Sequence, residues 1–147
     1  LYEYGYKPRP WEEKVSSEVI RHKDVSFATD TLLPWQGKPT IPSGYGCFPR
    51  ILGHFCRDLK YFPIEEAVHR LSGLSAKQYN LDRGVLKPGG YADVTVFDFN
   101  TITDRYDEDG RPIEPQGISH VILNGQHILA DGKMQSTGFH GRLLRRS

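Results

Sequence analysis

The hydrophobic period changes once along the chain, near residue 82. Up to about residue 81 apolar side chains recur at helical spacing, and from residue 83 they alternate. Residues 10–81 therefore read as helix, strand, loop and helices, and residues 83–147 as mainly β. Pro10 followed by Trp11-Glu12-Glu13 marks a helix start, with acids near the positive end of the dipole. Val15, Val19 and Ile20 continue it to His22. Val25-Ser26-Phe27-Ala28-Thr29 is short, β-branched and aromatic, and predicts a buried strand ending on Asp30-Thr31.

From Leu32 to Gly46 the chain carries Pro34, Gly37, Pro39, Pro42, Gly44 and Gly46, which predict a long loop. Loops of about 15 residues are uncommon in compact domains and are often functional. Phe48, Ile51, Leu52 and Phe55 predict a helix over Cys47–Leu59. Pro63 opens another, Gly73 closes it, and Ser75 is placed to cap a short helix through Leu81. In the β part, Val85–Gly90 reads as a short strand and turn. Ala92–Asp98 alternates strictly. Asp104–Gln116 reads as a polar connection with a turn at Asp107–Gly110. Ile118–Leu123, Asn124-Gly125 and Gln126–Ala130 predict a hairpin with a type I′ turn, and Asp131-Gly132 a second turn.

Charge and length limit the functions open to such a chain. Nineteen Lys+Arg against eighteen Asp+Glu leave no basic face for nucleic acid. No apolar run approaches the roughly 18 residues of a membrane span. Cys47 and Cys56, nine apart on one helix, would stand about 13 Å apart along its axis. That is beyond disulfide reach, so free thiols in a reducing, cytoplasmic compartment are expected. The chain begins with Leu1 and its one methionine is Met134, so a processed product or a piece of a longer chain is expected.

Asp30 is the first candidate for chemistry. A carboxylate at the end of a buried strand can ligate a metal or take a proton from water. The alternative is that it caps the turn with Thr31. The histidines His22, His54, His69, His120, His127 and His140 show no zinc-binding spacing. Cys47, near an expected helix start, could favour a thiolate, but no base stands beside it in the sequence.

Several strings resemble one family. They are Asp24–Asp30, Tyr45-Gly46-Cys47-Phe48-Pro49-Arg50-Ile51-Leu52-Gly53, Leu71–Ala76, Arg83–Gly89, Tyr91–Asp98 and Val121–Gly125. Together they resemble the C-terminal part of N-acyl-D-amino-acid deacylases (D-aminoacylases), in the metal-dependent amidohydrolase superfamily. The resemblance implies an α/β plus β fold. Residues 1–82 would hold the last βα unit of a (β/α)8 barrel, and residues 83–147 part of a composite β-sandwich. It implies zinc in the complete enzyme, with Asp30 as both metal ligand and catalytic acid–base group. The other ligands would lie upstream, so this chain alone is expected to bind no metal and to be inactive.

Ser43 falls where the family has an arginine that grips the substrate carboxylate, and Ser43 and Tyr45 are the expected substrate contacts. Thr29-Asp30-Thr31 stands for the family's Ser-Asp-Gly. The expected partners are a small N-acyl amino acid or related amide and the remaining N-terminal part of the enzyme. A homo-oligomer is open, and neither nucleic acid nor membrane is expected. Two alternatives are a non-catalytic structural or assembly subunit, and an amidohydrolase acting on a cyclic amide, dihydroorotase- or hydantoinase-like.

Overall fold

Proline begins two of the helices, where its missing N–H costs nothing. The computed structural model describes residues 10–31, 42–135 and 138–144. Helix α1 spans Pro10–Arg21 and α2 spans Pro42–Arg50. A π-helix, Ile51–Asp58, continues directly from α2. Helices α3, Ile64–Leu71, and α4, Gly73–Gln78, follow. Among the described side chains of α1, Ile20 packs on the core, whereas Val15 and Val19 stay exposed.

The helices depart from expectation in two places. First, α2 begins at Pro42 and not at Cys47, so Gly44 and Gly46 are helical residues rather than loop punctuation. The rest of the expected loop, residues 32–41, lies outside the described residues. Secondly, Gly73 opens α4 rather than closing α3, which ends at Leu71, and Ser75 sits inside α4 rather than capping it. The Ser75 hydroxyl donates to the Arg70 carbonyl at 3.4 Å.

The expected strand Val25–Thr29 finds no partner among the described residues and has no regular secondary structure. A strand exists only where a partner takes up its backbone groups. Here side chains from elsewhere do part of that work.

Residues 94–134 form two antiparallel sheets. Strands β1 (Val94–Phe97), β4 (Ile118–Leu123), β5 (Gln126–Ala130) and β6 (Lys133–Met134) make one, in the order β1-β4-β5-β6. Strands β2 (Thr103–Tyr106) and β3 (Pro112–Gln116) make the other. The Asn124-Gly125 turn is as expected, with φ of 49° and 81°, the left-handed pair a type I′ turn needs. The expected polar connection 104–116 is instead the β2–β3 hairpin around the 107–110 turn. Val85 and Leu86 are exposed and form no strand. The strict alternation of β1 fails because the register shifts between Val96 and Phe97, leaving Val94 and Phe97 as its half-buried residues.

The core is centred on Ile51, Leu52, Cys56, Phe62 and Ala67, and the β part adds Ile102 to it, 1% exposed. Four residues at helical spacing make that docking possible. A Cβ on Gly46 would lie 2.7 Å from the Asp104 Cβ, and one on Gly53 2.3 Å from the Ile102 carbonyl oxygen. Between and beyond them, Arg50 donates to Asp104 at 3.0 Å. Arg57 donates to the Phe99 and Ile102 carbonyls at 3.1 and 2.7 Å. Glycines thus let the backbone around residues 102–104 lie against the helix, and arginines fasten it there.

Gly53→Ala tests this docking. Alanine gains about 1 kcal/mol of helix propensity, but the clash is with backbone, and overpacking of this kind costs about 1–3 kcal/mol or more. We expect the melting temperature to fall by several degrees. Gly141→Ala, with nothing within 4 Å of the added carbon, should leave it unchanged.

Candidate functional site

Asp30 stands at the end of a segment held by other elements' side chains. Arg70, on α3, is fully buried. It donates from Nε to the Val25 carbonyl at 2.7 Å and from Nη2 to the Ile20 carbonyl at 2.5 Å. Its remaining amino group reaches Glu66 at 3.3 Å. The guanidinium also lies 4.4 Å from the Phe27 ring centre and 4.7 Å from that of Phe62. Burial pushes its pKa down and Glu66 opposes that, so a desolvated cation is kept charged by carbonyls, rings and one carboxylate.

Further along the segment, Gln78 on α4 accepts from the Ser26 hydroxyl at 2.6 Å and donates to the Asp24 carbonyl at 3.3 Å. The Cys47 thiol contacts the Ala28 carbonyl at 3.5 Å. Thr31 donates to the Thr29 carbonyl at 3.1 Å, and its hydroxyl meets that of Ser43 at 3.2 Å. Asp30 itself is exposed, with a left-handed φ of 49°, a conformation aspartate adopts more readily than most residues. Among the described residues nothing holds its carboxylate.

Beside this segment lies a cavity of about 730 Å³ between the helices and the sheet. Thr29, Ser43, Tyr45 and Cys47 line it, together with the apolar Leu52, Leu71, Val94, Phe97, Ile102 and Val121. The structure therefore brings together Ser43, Tyr45 and the residues flanking Asp30, but Asp30 does not itself line the cavity. Cys47 sits in mid-helix, not at a helix start, and burial raises its pKa, so a thiolate is disfavoured.

Among the described residues no three of His, Cys, Asp and Glu come close enough to hold a metal ion. His120 and His127 are neighbours across strands, with ring centres 6.0 Å apart.

Sequence reasoning missed the roles of the arginines and of Asp93. Arg83 donates to Asp93 and, at 2.9 Å, to Asn124. The Asn124 N–H donates to the other Asp93 oxygen at 2.8 Å, and the Asn124 amide to the His140 carbonyl at 2.6 Å. The carboxylate of the Ala92-Asp93 motif thus clips the hairpin turn to the linker before β1. Burial alone would raise the Asp93 pKa, but the Asn124 N–H and the Arg83 guanidinium outweigh it and hold the carboxyl below its usual range.

The amidohydrolase family model matches residues 11–129. D-aminoacylase of Alcaligenes xylosoxydans xylosoxydans is 39% identical over 117 residues, covering 78% of this chain and 24% of that protein. Among solved structures, one of D-aminoacylase that concerns its binuclear metal centre superposes with a TM-score of 0.76 at 35% identity. It covers 87% of this chain and 26% of that one. N-acyl-D-glutamate deacylase from Bordetella bronchiseptica, complexed with zinc and a phosphonate mimic of the tetrahedral intermediate, gives 0.71 at 34% identity, over 83% and 26%. The chain spans about a quarter of the length of these relatives.

The lowered Asp93 pKa has a direct consequence. Its contribution to stability is present above the unfolded carboxyl pKa, near 4, and is lost as pH falls through the lower folded value. In urea melts, wild type should exceed Asp93→Asn in stability at pH 7, and the difference should shrink steadily below about pH 4.

Proposed function

The chain belongs to the amidohydrolase family, and from that premise we propose that the complete enzyme hydrolyses the amide bond of an N-acyl-D-amino acid. Relatives named for that activity, at 33–39% identity, support the reading. The observation that carries it is Asp30: an exposed carboxylate, free of partners among the described residues, on a segment fixed from both sides. Amide hydrolysis needs a group that accepts a proton from the attacking water and returns it to the departing amine, and one such carboxylate can serve both steps. Ser43 and Tyr45, which line the cavity beside that segment, would meet the substrate's polar atoms.

The finer architecture is part of the proposal. Residues 1–82 would form the last unit of a (β/α)8 barrel, with residues 25–29 pairing with strands supplied by the rest of the protein. Residues 83–147 would contribute to a β-sandwich. Zinc would belong to the complete enzyme and supply Lewis-acid chemistry there. Asp30 is the residue described here that would reach it, and the other ligands would come from elsewhere in the protein. A cytoplasmic location is proposed with it.

The test is turnover of N-acyl-D-amino acids by the complete enzyme and its Asp30→Asn variant. Loss of an acid–base group should lower kcat about 10²–10⁴-fold, leaving KM within a few-fold. Wild-type turnover in Asp30→Asn would contradict the assignment.

A further inference from the structure

We propose that Arg70 and Gln78 are positioning residues for Asp30, acting together as a bracket from α3 and α4. The inference rests on the catalytic reading of Asp30 and extends it to two residues remote from the reacting atoms. The stretch that carries Asp30 leaves α1 after Arg21 and runs to Thr31. Two side chains grip its entry at four points: Arg70 at the Ile20 and Val25 carbonyls, Gln78 at the Ser26 hydroxyl and the Asp24 carbonyl. The Phe27 ring, stacked on the Arg70 guanidinium and 6.1 Å from the Phe62 ring, fixes the direction in which the chain leaves that grip. Three residues later the backbone turns left-handed at Asp30, and Thr31 meets Ser43 on the far side.

A non-glycine residue in that conformation keeps it only where its surroundings hold it. The carboxylate's direction is then set by how firmly both ends of the arm are held. The Arg70 fork explains the residue type. It reaches two carbonyls and a carboxylate from one planar group, which an ammonium cannot reproduce at the same angles.

The experiment uses the complete enzyme, with Gln78→Ala, Arg70→Lys and Arg70→Met. Each rate is divided by the folded fraction, taken from thermal melting of the same sample. Misplacing a catalytic group by about 1 Å can cost up to about 100-fold. We expect kcat per folded molecule to fall about tenfold or more in Arg70→Met and severalfold in Gln78→Ala. Arg70→Lys should recover part of the loss, and KM should stay within about twofold throughout. Because Gln78 is exposed, its variant keeps the test open if Arg70→Met fails to fold.

The inference is overturned if folded Gln78→Ala and Arg70→Lys both turn over at the wild-type kcat, or if their losses vanish once the folded fraction is counted. A wild-type enzyme inert toward every N-acyl-D-amino acid removes the catalytic reading, and the inference with it. That outcome is distinct from an active enzyme with indifferent variants.

Discussion

One helix face, carrying Gly46, Arg50, Gly53 and Arg57, joins the two parts of this molecule. Packed helices and strands normally keep side chains between their backbones. Here two glycines remove them, so residues 102–104 press on the helix and Ile102 joins the core that holds Leu52 and Cys56. The arginines take up the polar groups this approach would otherwise leave buried: Asp104, with a 6% exposed side chain, and the Phe99 and Ile102 carbonyls. Tyr106 adds a second donor to Asp104 at 2.9 Å. Apolar burial, close approach and hydrogen bonding depend on one another at this seam. A larger residue at either glycine would separate the backbones and strand the carbonyls.

The second organising interaction, the buried Arg70, serves a different end. It lies where several apolar residues meet, yet its donors go to backbone carbonyls of a segment that has no ladder among the described residues. A buried cation is costly unless every donor finds an acceptor. One hydrogen bond from each of its three nitrogens, to the Val25 and Ile20 carbonyls and to Glu66, and stacking on Phe27 and Phe62 offset that cost. The result is a fixed path from the end of α1 to Asp30, which links the packing of α3 to the placement of the proposed catalytic carboxylate.

What could be read from the sequence followed the range of the forces involved. The Asn124-Gly125 turn was legible because two adjacent residues decide it. So were the helices opened by Pro10 and Pro63. The 107–110 turn was legible too, but not the β2–β3 pairing around it, because short polar strands carry no apolar alternation. Gly44 and Gly46 read as loop because local propensity says so, whereas both are helical and Gly46 packs against residue 104. Val25–Thr29 looked like a strand from its β-branched and aromatic residues, but a strand is a property of a pair. At the site, Asp30, Ser43 and Tyr45 could be named from motifs, while Arg70 and Gln78 act over about 50 residues of separation and leave no local pattern. Asp93 stood in a recognisable motif, and its work as a structural clip emerged only from its partners.

The helical part bearing Asp30 and the sheet behind it stand as one unit across the glycine–arginine seam. Native-state hydrogen exchange tests it most directly, by comparing the amides of residues 51–58 with those of the β1–β4 ladder. One unit predicts that both sets open with a common free energy and a common denaturant dependence. Two sets that open separately, with the sheet exchanging while the helix stays protected, would contradict it.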